Sequence, residues 1–205
     1  MHTRAALIAL LLPLAVHADE ALQQRAEQIV RESFAAATPQ ELAQRMQQDD
    51  VQRLCSRYYN QPPADVAEQI VASQRQAMRY PADGKLMGDW KNGQALARIG
   101  AGGHIGTIQP DPPGAKRGGN CYACHVLAAD ELAAGTIGPS LSGYARRRGT
   151  SRESIQYVYE KIYNTQALFA CSLMPRFGHN NWLTPEEVAD LVAYLLDPAS
   201  PVNRE

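Results

Sequence analysis

The chain has 205 residues, 45% of them hydrophobic and 20% charged, and its 20 basic residues against 21 acidic ones leave a net charge of −1. That balance excludes the basic footprint of a nucleic-acid binder. No apolar stretch reaches the length of a permanent membrane-spanning helix.

At the start, Arg4 precedes an apolar run over residues 5–16, and Val16, His17 and Ala18 close it with small residues at the two positions that matter. This is the pattern of a secretory signal peptide, residues 1–18, with cleavage expected after Ala18 and a soluble periplasmic product. Its removal takes away one basic residue, Arg4, and no acidic one.

Leu22, Ala26, Ile29, Val30 and Phe34 recur at helical spacing, which predicts an amphipathic helix over 19–36. Thr38, Pro39 and Glu41 supply a cap, a first-turn proline and the reciprocal acid of a second helix running towards Cys55. Residues 60–63 break it. Val66, Ile70, Val71 and Met78 mark a third helix that ends near Tyr80. Residues 19–80 therefore form a helical N-terminal extension.

From Pro81 to the end, glycine and proline punctuate shorter helices. Asp89 caps one through Trp90 and Ile99, and Gly100 stops it. Cys121, Tyr122, Ala123, Cys124 and His125 then spell C-x-x-C-H, the attachment signature of a c-type haem. On one helical turn positions i, i+3 and i+4 share a face, so two thiols can meet the haem vinyl groups while the imidazole reaches iron. A structural zinc site would need two further ligands from Cys55, Cys171, His104 and His179, and a redox dithiol would follow a strand. Neither alternative calls for a histidine directly after the second cysteine.

Residues 135–143 read as a loop around Pro139, and the run Arg146, Arg147, Arg148 reads as a solvated loop or as partners for haem propionates. Ile155, Val158, Tyr159 and Ile162 fit a helix opened by Thr150 or Ser151. Thr184, Pro185 and Glu187 form a capping box for the last helix, whose Val188, Leu191, Val192 and Leu195 keep one face apolar. A helix before the motif, one at its end and a capped terminal helix make an all-α plan, the class I cytochrome c fold, over residues 81–205.

An iron held by His125 needs a sixth ligand or an open position. Met174, between the later helices, is the favoured ligand; His179, an open site, or a mere core role for Met174 are the alternatives. With Cys121 and Cys124 committed to haem, Cys55 and Cys171 remain, and an oxidising compartment favours a bridge between them over two separate thiols.

Beyond the motif, GNCYACH at 119–125 and GTIGPSL at 135–141 resemble the SoxX subunits of sulfur-oxidation (Sox) SoxAX complexes. GDWK at 88–91, YVYEKIYN at 157–164, CSLMPRFGH at 171–179 and LLDPASPVN at 195–203 extend the resemblance from about residue 84 to the end. It implies one covalent haem c held by Cys121, Cys124, His125 and Met174, with the Pro139 carbonyl on the ring N–H of the axial histidine. It implies a partner too: a SoxA-like dihaem or monohaem cytochrome subunit bearing the catalytic site, which couples thiosulfate to a cysteine of the SoxYZ carrier. No catalytic residue is expected on this chain, which would relay electrons to a small acceptor cytochrome. A free-standing electron shuttle or a haem-based ligand sensor is the competing expectation.

Overall fold

The computed structural model describes residues 12–33, 40, 46–100, 114–128, 131 and 133–204. Among these residues every regular element is helical and no strand occurs. The chain divides into two units, Met1–Gln47 with Gly106–Gln109, and Gln48–Ile105 with Pro110–Glu205. The first contains α1 (Leu12–Ser33), an exposed helix carrying i,i+4 pairs such as Gln28 to Glu32 at 2.6 Å. It runs unbroken past Ala18; the helix expected to open at Thr38, and Phe34, lie outside the described residues. No described helix is long and apolar enough to cross a membrane.

The second unit contains α2 (Asp50–Arg57), α3 (Ala64–Gln76), α4 (Trp90–Arg98), α5 (Tyr144–Arg148), α6 (Arg152–Tyr163) and α7 (Pro185–Leu196). Three short 3₁₀ turns stand at Cys121–Ala123, Thr165–Ala167 and Pro201–Asn203. The helix expected to run from Thr38 to Cys55 is interrupted, because residues 47–49 are non-helical and a new helix opens at Asp50. Asp49 Oδ1 accepts the Gln52 N–H at 2.8 Å while Gln52 Oε1 accepts the Asp49 N–H at 2.9 Å, a reciprocal cap that opens α2. The third expected helix ends at Gln76, short of Tyr80.

Both α2 and α3 belong to the same unit as the C-x-x-C-H turn, upstream of the boundary that the sequence pattern suggests at 81. Val51, Cys55, Ile70 and Cys171 form a small buried cluster of their own, and Arg75 Nε on α3 donates to the Ala167 carbonyl at 3.0 Å.

The main core gathers on α7, eight of whose twelve residues are buried, so this helix is apolar nearly all round. Thr184 and Glu187 close its N-terminus with the expected capping box, and Pro185 fills the first turn. Asp89 Oδ1 caps α4 through the Lys91 N–H at 2.8 Å. Helices α4 and α7 meet at Gly93, where an added Cβ would stand 2.6 Å from the Asp190 carbonyl carbon and 2.8 Å from Tyr194 Cβ. Glycine costs about 1 kcal/mol of helix propensity there, and the missing methyl lets the two backbones touch.

The arginine run lies in α5 rather than in a loop. Arg146 donates to the Asn203 carbonyl and Arg147 to the Ser140 carbonyl, each at 2.7 Å, and Arg148 sits over the Tyr157 ring. These contacts tie α5 to the C-terminal tail and to the loop after the motif.

Candidate functional site

The motif occupies one tight turn. Asn120 enters it in the left-handed region at φ 44°, and the Cys124 and His125 N–H groups both donate to the Cys121 carbonyl, at 3.1 and 2.9 Å. Where the spacing predicts an α-helical turn, the structure forms a single 3₁₀ turn over Cys121–Ala123, with His125 just past its end. Cys121 and Cys124 are not bridged to any cysteine. Burial pushes the Cys121 thiol up to about 12, so it stays protonated at neutral pH. A dithiol redox pair works the other way, through a depressed thiol pKa. The zinc alternative loses Cys55 and Cys171, which bond to each other, and no cluster of three His, Cys, Asp or Glu gathers among the described residues. His104 lies outside them.

The loop after the motif is laced to it by three main-chain bonds. Gly135 N–H donates to the Tyr122 carbonyl at 2.8 Å, Gly138 N–H to Cys124 at 2.8 Å, and Leu141 N–H to Val126 at 2.7 Å. This parallel run brings the Pro139 carbonyl to 2.7 Å from His125 Nδ1. A carbonyl can only accept, so Nδ1 carries the proton and Nε2 presents a free lone pair. Such a bond fixes the tautomer and the orientation of a metal-binding imidazole and raises its basicity. Gly138 is required by contact, since a Cβ there would stand 2.5 Å from Nδ1 and 2.8 Å from Nε2 of the same ring.

Met174 is half-buried and packs against the same core as Cys121 and Phe177. Its N–H reaches Ser172 Oγ at 3.4 Å, and Ser172 Oγ accepts from Thr165 at 3.1 Å. His179 donates its N–H to the Tyr163 carbonyl, and its side chain lies within the fields of Asp49 and Arg176; burial lowers its pKa. A cavity of about 270 Å³ opens between the glycines at 118 and 119, just before Cys121, and Pro175 and Phe177, just after Met174. Trp182 at its edge donates its indole N–H to the Gly118 carbonyl at 2.8 Å.

Cys55 and Cys171 form a disulfide with Cα atoms 5.3 Å apart and 116 residues between them in sequence. Several contributors lay outside what sequence patterns signal. Gly138 could have been suspected from the Gly-x-x-Gly-Pro spacing, whereas the buried Arg176, which joins Asp49 and Gln74, has no local signature.

The cytochrome c family model matches residues 114–197, which take in the motif, Pro139, Met174 and α7. The chain is 42% identical over 159 residues to a protein of Aquifex aeolicus described as an uncharacterized lipoprotein, covering 77% of this chain and 73% of that one. It is also 37% identical over 76 residues to a cytochrome c-553-like protein of Synechocystis, covering 37% of this chain and 56% of that one. A cytochrome c domain implies covalently bound haem c. The residues present fit that group: two thiols and an imidazole on one turn, with Nε2 left free by the bond at Nδ1.

Proposed function

This chain belongs to the cytochrome c family, and we propose that it is an exported monohaem electron-transfer subunit of a SoxAX-type complex. The observation that carries electron transfer is the His125 to Pro139 bond at 2.7 Å, which commits one ring nitrogen and aims the other. Bound haem c supplies a one-electron couple. Cys121 and Cys124 would hold it through thioethers, and His125 Nε2 and the Met174 thioether would bind its iron. With both of these ligands in place no position would be left for substrate, and the group would supply electron exchange with little rearrangement. Replacing Met174 with Ala is expected to shift the potential and let imidazole or cyanide bind; an unaltered visible spectrum rules out the ligand role.

The SoxX assignment rests on the residue runs from about 84 onwards, above all CSLMPRFGH at 171–179. It assigns the catalytic site to a SoxA-like partner that couples thiosulfate to the SoxYZ carrier, with electrons leaving through this chain to an acceptor cytochrome. A place outside the cytoplasm is supported by the leader-like residues 1–18 and by the lipoprotein description of the Aquifex relative. The test is co-expression with a SoxA-like chain in a haem-maturing host. Co-purification and thiosulfate-dependent haem reduction only in the complex are expected. Reduction of this chain alone, or a monodisperse monomer beside available partner, refutes the subunit role.

A further inference from the structure

Met174 sits between two exposed neighbours. Leu173 is 80% exposed, and Pro175 is exposed as well. Yet the residues that bracket it, Cys171 and Arg176, are both 5% exposed. Each is fastened to a helix that precedes the C-x-x-C-H motif. Cys171 is bonded to Cys55 on α2. Arg176 donates through Nη1 to Gln74 Oε1 on α3 at 3.1 Å and through Nη2 to the carboxylate of Asp49, the cap of α2.

A buried guanidinium is costly to desolvate and is held in place only when its fork is fully engaged. Here the two ends of the fork reach the start of α2 and the last turn of α3, so one side chain reads the position of both helices. Gln74 is itself buried, and its Oε1 also accepts from Asn164 Nδ2 at 3.0 Å. Cys171 holds a left-handed backbone, φ 57°, a conformation that is costly for a non-glycine residue and persists where the surroundings over-determine it.

We infer that residues 48–76 act as a clamp that positions Met174, with Arg176 and the Cys55–Cys171 bridge as its two jaws. This deepens the role proposed above for Met174 and rests on it. The clamp sets how often the thioether leaves the iron: the segment between the jaws is short, so opening at Met174 requires one jaw to give. Helices α2 and α3 thereby serve the redox centre itself.

The test uses the full haem-loaded chain in its ferric state. Asp49→Asn keeps the helix cap and removes the charge, Arg176→Lys keeps the charge and removes the fork, and Cys55→Ala with Cys171→Ala opens the bridge. Imidazole entry to the iron, which waits on Met174 departure, is timed in each, and Thr184→Ala serves as a control that removes the α7 cap, whose bonds run to Glu187 and to neither jaw. Entry at least tenfold faster in Asp49→Asn and Arg176→Lys is expected, with Thr184→Ala at the rate of the unmodified chain. Equal rates in all of them, or an equal rise in Thr184→Ala, overturns the clamp even if the bridge variant fails to mature. The far-red charge-transfer band of a thioether-bound ferric haem separates the other failure: its survival in Met174→Ala overturns the ligand role and with it the clamp's purpose.

Discussion

Gly138→Ala probes the imidazole directly. The new methyl would stand 2.5 Å from His125 Nδ1 and 2.8 Å from Nε2, and a comfortable non-bonded separation is about 3.5 Å, so ring and loop must part by roughly 1 Å. The bond to Pro139 is 2.7 Å long and would then exceed hydrogen-bonding distance. Losing it costs about 1 to 2 kcal/mol. The direction at the iron follows from charge. An N–H given to a carbonyl makes the imidazole a stronger donor and favours the ferric state, so its loss raises the potential. If about 1 kcal/mol of the loss is differential between oxidation states, the rise is about 40 mV for a one-electron couple. Mediated redox titration of the haem-loaded variant reads this shift. A potential within about 10 mV of the unmodified chain, or one that falls, refutes the role assigned to the Pro139 carbonyl.

Gly93→Ala gains about 1 kcal/mol of helix propensity and meets the main chain of Asp190, so α4 and α7 must separate, for a net loss of about 1 to 3 kcal/mol in urea unfolding; an unchanged midpoint would contradict the close crossing. Two groups give stability an acid limb. Burial lowers the His179 pKa, so unfolding takes up a proton there, and the contribution is complete above about 6.5 and declines below it. For Asp49, burial pushes the carboxyl up, but the Arg176 hydrogen bond, the Gln52 N–H and the Arg176 charge outweigh it and the net shift is downward. Its contribution is therefore full above about 3.9 and is lost as pH falls through the lower folded value. Urea midpoints against pH should fall in two steps, and His179→Gln should abolish only the upper one; persistence of that step would reassign it.

Legibility in the sequence followed the range of the interaction. Helix α7 and its start at Thr184 were plain because a capping box and an apolar spacing are local patterns. The motif turn was equally plain, although its 3₁₀ form was not, since Asn120 in the left-handed region sets up a turn that spacing alone does not reveal. The break at residues 47–49 escaped notice because Asp49 and Gln52 cap as effectively as a serine and a glutamate, within a stretch that otherwise reads as continuous helix. Pro139 is legible through resemblance and not through spacing, as its carbonyl is brought to His125 by main-chain bonds that leave no side-chain pattern around it. The Arg176 contacts were invisible: Asp49 lies 127 residues away and Gln74 lies 102 away, with nothing nearby to announce either.

The order of the four cysteines bears on how the chain is made. Synthesis delivers Cys55 first, then Cys121 and Cys124, and only much later Cys171, so the bridge encloses both motif thiols and its second cysteine arrives last. In an oxidising compartment Cys55 meets two wrong partners before the right one. Either the motif thiols are withdrawn by thioether formation before Cys171 emerges, or a mispaired Cys55 must be freed by thiolate exchange. Under the function proposed for this chain, maturation would be a contest between two sulfur chemistries, with the timing of cofactor delivery deciding which covalent isomer accumulates.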